Sequence, residues 1–145
     1  MLLENEIEAG VITVQPGRED VDLELLALVR ERVVVCVSRA HPWARRRSVD
    51  IGQLHGQSMV VYESGYFIRE QFSALCRGHG VTPELRMQTN FLPLINEMVK
   101  AGIGVGIGLK MMADQEPGIV GIPLRPAIEI DLALAKRNGR RISLA

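Results

Sequence analysis

Side-chain catalysis needs a nucleophile beside a base, a paired acid and base, or a metal cluster, and this 145-residue chain places no such set at a recognisable spacing. His41, His55 and His79 have no ligand partner at metal-binding spacing, so all three are expected to be non-catalytic, and no cofactor is expected. Cys36 lies in an apolar run and Cys76 in an amphipathic one, with neither CxxC spacing nor a disulfide framework; both read as buried thiols of a reducing compartment. Arg45-Arg46-Arg47 reads as a solvated loop, with a phosphate-binding patch as the alternative. Binding is better supported than catalysis. Two segments that open predicted helices, Ser64-Gly65 and Thr89-Asn90, start with small polar residues, and neither helix is expected to carry an acid in its first turn. Acidic side chains commonly complement the helix dipole there, so their absence leaves N–H groups and partial positive charge for an external anion; simple capping without a ligand is the alternative.

The elements that must position these residues are written most clearly between Thr89 and Leu109. Asn90 is a predicted N-cap, Leu92, Ile95 and Val99 repeat along one helical face, and Pro93 falls in the first turn, where a missing N–H costs nothing. Gly102 then ends the helix and the period changes to two. Ile103, Val105, Ile107 and Leu109 alternate with Gly104, Gly106 and Gly108, a strand with one bare face whose use is close approach of a helix or of a ligand. The spacing matches no glycine-rich phosphate loop.

Upstream, Val11, Ile12 and Val14 predict a short strand ended by Gln15-Pro16-Gly17. Asp22 to Val37 predicts a strand pair interrupted at Arg30-Glu31-Arg32, and Val33 to Val37 has the composition of a strand buried on both faces. Val49 to Leu54 predicts a helical turn leading to a strand at Met59 to Tyr62. A helix follows over about 66–77, with Ser64 as N-cap, an apolar stripe at Ile68, Phe72, Leu75 and Cys76, and Gly78 and Gly80 at its end. Val81 to Met87 supplies the next strand. After Leu109, a helical turn at Met111 to Gln115 precedes strands at Ile119 to Leu124 and Ile128 to Ala135. From Met59 onward the order is strand, helix, strand, helix, strand, an open α/β sheet in which helix starts lie at the C-terminal edge of the strands, where ligands bind.

The chain is 47% hydrophobic and 23% charged, ordinary for a globular protein, and its 17 basic and 17 acidic residues cancel. That balance lacks the broad basic footprint of a nucleic-acid-binding surface. No apolar run approaches membrane-spanning length and no leader is apparent, so a cytoplasmic location is expected.

His41-Pro42-Trp43-Ala44, Arg69-x-x-Phe72-x-x-x-Cys76-x-x-x-Gly80-x-x-Pro83, Val99-x-Ala101-Gly102-x-Gly104-Val105, Val120-x-Ile122-Pro123-Leu124 and Ile142-Ser143 together resemble, in order, the effector-binding domain of LysR-type transcriptional regulators. The resemblance covers nearly the whole chain. It departs from the family pattern at Asn5-Glu6-Ile7-Glu8 and at Leu109-Lys110, and it begins downstream of the family's helix-turn-helix.

The resemblance implies an α/β, periplasmic-binding-protein-like fold: two α/β subdomains joined by crossover strands, the first incomplete. Residues 1–53 would form part of the first subdomain with a crossover, 54–120 the second, and 121–145 the return. It further implies a small effector, a carboxylate or other anion, bound by Ser64, Gly65, Tyr66, Thr89, Asn90 and Phe91 and faced by Thr13 and Gln15. DNA would be contacted only through a helix-turn-helix absent from this chain, and self-association through this domain is expected. A solute-binding protein of the periplasmic type and an enzyme on the same scaffold are the rival readings; the first requires an export signal and the second a nucleophile or base in the cleft.

Overall fold

Val33-Val34-Val35-Cys36-Val37 is buried at every position in the computed structural model, which describes residues 9–13 and 23–137. β-Branched residues and the lack of a polar face suit this run to a strand buried on both faces, as its composition requires. The predicted features at Met1–Glu8, Val14, Gln15 and beyond Arg137 lie outside the described residues.

The chain divides into two compact units, one drawn from Met1–Glu31 and Glu129–Ala145 and the other from Arg32–Ile128. In the first, β1 (Ala9–Thr13) pairs antiparallel with β8 (Glu129–Arg137), in register from Ala9↔Lys136 to Thr13↔Leu132, and β8 neighbours β2 (Leu23–Ser38). The strand pair expected over 22–37 is one continuous 16-residue strand. Its charged interruption is a cross-strand feature, not a turn: Arg30 Nε lies 2.9 Å from Asp131 Oδ1 and 3.8 Å from Glu129 Oε2, so the polar residues are held on the sheet.

In the second unit the remainder of β2 runs antiparallel to β6 (Val105–Leu109) on one side and to β7 (Ile119–Arg125) on the other. A two-residue strand missed by the sequence reading, β3 (Val49–Asp50), pairs with β7 in parallel, and a 3-10 turn, Ile51–Leu54, leads on to β4 (Ser58–Tyr62). β4 is flanked by β5 (Glu84–Thr89) and β6, both parallel to it, which gives the order β3-β7-β2-β6-β4-β5. Strand β5 starts three residues later than expected, because Thr82-Pro83 belongs to the approach.

Helix α1 (Phe67–Gly78) connects β4 to β5, α2 (Leu92–Lys100) connects β5 to β6, and the short α3 (Lys110–Ala113) follows β6. Both longer helices end alike. The N–H of Ile103 bonds Met98 O at 3.0 Å and that of Gly102 bonds Val99 O at 3.0 Å, with Gly102 at φ +77; Val81 and Gly80 repeat the pattern onto Cys76 and Arg77. The bare glycine face of β6 receives α2, since a Cβ on Gly106 would stand 3.0 Å from Val99 Cγ2. Tight helix-on-sheet packing is thus the use of that glycine.

Candidate functional site

Parallel strands β4 and β5 finish side by side, Tyr62 opposite Thr89, and the Glu63 N–H donates to Thr89 O at 3.1 Å, which ties the two exits together. The loop Glu63-Ser64-Gly65-Tyr66 leaves β4 for α1, and Asn90-Phe91 leaves β5 for α2. The two helices go to opposite faces of the sheet. Val60, Ile95 and Val99 share one core cluster with Cys36, whereas α1 residues Ile68 and Phe72 line a hollow with Val61 and Ile107, the alternate positions of β4 and β6. Adjacent parallel strands whose following helices part to opposite faces leave a crevice at their C-terminal ends, the topological switch point at which open α/β sheets take ligands.

Ser64, Gly65, Tyr66, Thr89, Asn90 and Phe91 are therefore brought to one edge, all of them exposed except the half-buried Thr89. Thr13 belongs to the other unit, at the end of β1, and Gln15 lies outside the described residues. Two details of the helix starts differ from expectation. Helix α1 begins at Phe67, close to the expected start, but its N-cap is Tyr66 in place of Ser64, and its first turn contains Glu70, whose Oε1 accepts the Gly65 N–H at 2.9 Å. The start of α1 thus already carries a carboxylate, and Gly65, at φ +103, turns the backbone to meet it. At α2 the N-cap is Phe91 in place of Asn90, and Thr89 Oγ1 accepts the Phe91 N–H at 3.2 Å. The first turn of α2 has no acid; Pro93 lacks an N–H, and the N–H groups of Leu94 and Ile95 both return to Phe91 O, which leaves that of Leu92.

Arg69 is the functional candidate that helix-start reasoning missed. Its Nη1 donates to Tyr62 O at 2.9 Å and to Gln88 Oε1 at 2.7 Å, and its Nε to Ser73 Oγ at 3.1 Å, so the guanidinium is fixed beneath the ends of β4 and β5. Among the described residues it meets no carboxylate within ion-pair distance. The signal was available, since an arginine three residues into a helix after a strand reaches back over that strand's end. Tyr62 lies beside Tyr66 with ring centroids 5.4 Å apart, and burial first, then Cys36 and Tyr66, push its phenol up, so it is a neutral donor at ordinary pH. Among the described residues no group of three or more His, Cys, Asp or Glu is placed to hold a metal ion, and no helix is long and apolar enough to cross a membrane.

The family model for the LysR substrate binding domain matches residues 1–145. The chain belongs to this family. The DNA-binding transcriptional dual regulator OxyR of Escherichia coli (strain K12) is 24% identical over 151 residues, covering 93% of this chain and 50% of that protein. The transcriptional dual regulator GltC of Bacillus subtilis (strain 168) is 25% identical over 140 residues, covering 86% and 47%. Among solved structures, the CcmR regulatory domain of Synechocystis PCC6803 in complex with 2-PG superposes with TM-score 0.76 at 20% identity over 97% of this chain and 68% of that one. The effector binding domain of QuiR in complex with shikimate gives 0.72 at 18%, covering 94% and 65%. These likenesses fix the fold as that of LysR effector-binding domains, periplasmic-binding-protein-like. The LysR-family chain spans about half the length of the curated relatives it matches.

Proposed function

We propose that this chain is the effector-sensing part of a LysR-type transcriptional regulator, and that it binds a small anion, of the carboxylate class, at the β4–β5 edge to control transcription. The observation that carries the reading is the Arg69 guanidinium, anchored on Tyr62 O and Gln88 Oε1 near the ends of β4 and β5, with Thr89, Asn90 and the Leu92 N–H of the acid-free α2 start at the same strand ends. An anion binds there against the α2 dipole and the guanidinium, while Glu70 on the α1 side excludes a second negative group and favours a hydroxyl or ammonium. In this reading residues 54–120 act as the second subdomain, with 1–53 and 121–145 serving the first. DNA contact in the intact regulator is made by a helix-turn-helix segment; a full-length relative, CbnR, was solved in complex with its target DNA. Both 2-PG and shikimate, the molecules bound by CcmR and QuiR, belong in the first panel of probes.

Calorimetry of the chain against small carboxylates, phosphate esters, neutral sugars and amines tests the site. A carboxylate or phosphate ester is expected to bind saturably, and Thr89→Val to weaken it by about 1 kcal/mol, the size of one lost hydrogen bond. Saturable binding of only neutral or cationic members, or an unchanged affinity in both Thr89→Val and Arg69→Gln, overturns the assignment.

A further inference from the structure

The ten residues from Arg39 to Ser48 hold four arginines and no acid, on a chain whose net charge is zero. The backbone there is a series of turns fixed by short-range bonds: His41 N–H to Ser38 O at 3.1 Å, Ala44 N–H to His41 O at 3.0 Å, and Arg46 N–H to Trp43 O at 3.0 Å. The Trp43 N–H also donates to His41 Nδ1 at 3.0 Å, and the two rings pack edge to face with centroids 5.1 Å apart. Arg45, Arg46 and Arg47 project from this fixed base and are exposed. Among the other exposed cations of the described residues, Arg39, Arg77 and Arg125 meet no carboxylate, and four do find carboxylates: Arg30 with Asp131, Arg86 with Glu84, Lys100 with Glu97 and Glu116, Lys110 with Asp114. Arg45, Arg46 and Arg47 find none.

We propose that the Arg45–Arg47 turn is a contact surface for the phosphate backbone of double-stranded nucleic acid. Guanidinium forks match phosphate oxygens two at a time, and three on one turn can engage neighbouring phosphates together. The contact is sequence-independent, because phosphate contacts carry no base information. It also favours a duplex over a single strand: Trp43, the chain's one tryptophan, is half-buried against His41 and offers no open ring for bases to stack on. The choice of nucleic acid over an acidic protein segment rests on the proposed regulator reading, which brings DNA within reach of the intact protein. The balanced net charge predicts no broad basic footprint, and the patch is local.

Trp43 reports on its own loop, so the test is a fluorescence titration of the full 145-residue chain with a random-sequence DNA duplex at low salt. Saturable binding is expected, equal for unrelated sequences, with a log–log salt slope of about −2.7 if each guanidinium meets one phosphate. Replacing Arg45, Arg46 and Arg47 together by Gln is expected to weaken it about tenfold or more, and replacing them by Lys to weaken it less. These side chains are exposed, and far-UV circular dichroism checks that the variants fold; the single Arg46→Gln serves if the triple variant does not. No salt-dependent binding, or equal binding by the Gln variants, overturns the proposal. Tighter binding of a poly-glutamate peptide than of the duplex reassigns the surface to an acidic protein partner and also overturns it. Carboxylate calorimetry on the same variants is expected to be unchanged, so loss of the effector reading and loss of this one are seen separately.

Discussion

Cys36 is enclosed on every side, between Gly106 and Gly108 of β6 and Gly121 of β7, and burial pushes its thiol up to about 12. Cys76 is buried as well, and desolvation outweighs the neighbouring Arg77 to raise it too. A thiol reacts as thiolate, so neither sulfur is poised for oxidation. This bears on the several relatives that carry the name hydrogen peroxide-inducible genes activator. We predict that the folded chain titrates with no free thiol at pH 7.5 until denaturant is added, and that micromolar peroxide leaves both thiols intact by mass; fast labelling of either in the native state rejects this. His41 is a third residue whose protonation is shifted by its surroundings. Burial lowers its imidazole from the ordinary 6.5, and Nδ1 must stay unprotonated to accept the Trp43 N–H. A depressed histidine contributes stability that is complete above the unfolded value and lost as pH falls through the folded one. The melting temperature of wild type should therefore exceed that of His41→Ala by most at pH 7.5 and by less at pH 5.5, and a gap that widens on acidification shows the sign to be wrong.

At the scale of elements, the packing of α2 on β6 is the tightest constraint on the site, because it sets where Phe91 and Leu92 stand. A methyl on Gly106 would meet Val99 Cγ2 at 3.0 Å and Cys36 Cβ at 3.6 Å, both in the buried cluster. Overpacking of this kind costs about 1–3 kcal/mol, only partly offset by the better strand propensity of alanine. Gly106→Ala is expected to lower the urea midpoint accordingly and to weaken any anion bound at α2; an unchanged midpoint would show that α2 can slide. The alternating glycines made this packing legible from sequence, as did the helix stop at Gly102 and the buried run at Val33–Val37. The charged triplet Arg30-Glu31-Arg32 was misleading, because a turn and a cross-strand ion pair look alike until the partner strand, 101 residues away for Asp131, is known. The edge shared by Ser64, Gly65, Thr89 and Asn90 was legible through the order of strands and helices. Its electrostatics were only half legible: the N-cap of α1 falls at Tyr66, two residues past Ser64, so Glu70 lies in the first turn and accepts the Gly65 N–H. Arg69 was likewise visible as a residue but not as a fixed charge, since its anchors are Tyr62 O and a side chain on the neighbouring strand.

For the whole molecule, the two terminal strands, β5 and β1, differ in the charge they carry. Among the described residues strand β5 pairs only with β4, and it carries Glu84 and Arg86, which pair with each other while Arg86 also reaches Ser58 Oγ at 3.2 Å. Charge on an edge strand discourages another strand from adding to it. Strand β1, Ala9-Gly10-Val11-Ile12-Thr13, has no such protection: it is uncharged throughout, and among the described residues it pairs only with β8. An uncharged edge of this kind is a template for a further strand, and a second copy of this chain offers the same edge in a two-fold arrangement. Self-association of the chain is therefore expected, growing with concentration, and Val11→Lys should shift it toward monomer by adding charge to that edge. Light scattering across a concentration series decides the matter. Dimer or larger species in wild type that Val11→Lys disperses supports pairing through β1, and a wild-type chain that stays a monodisperse monomer at high micromolar concentration excludes it.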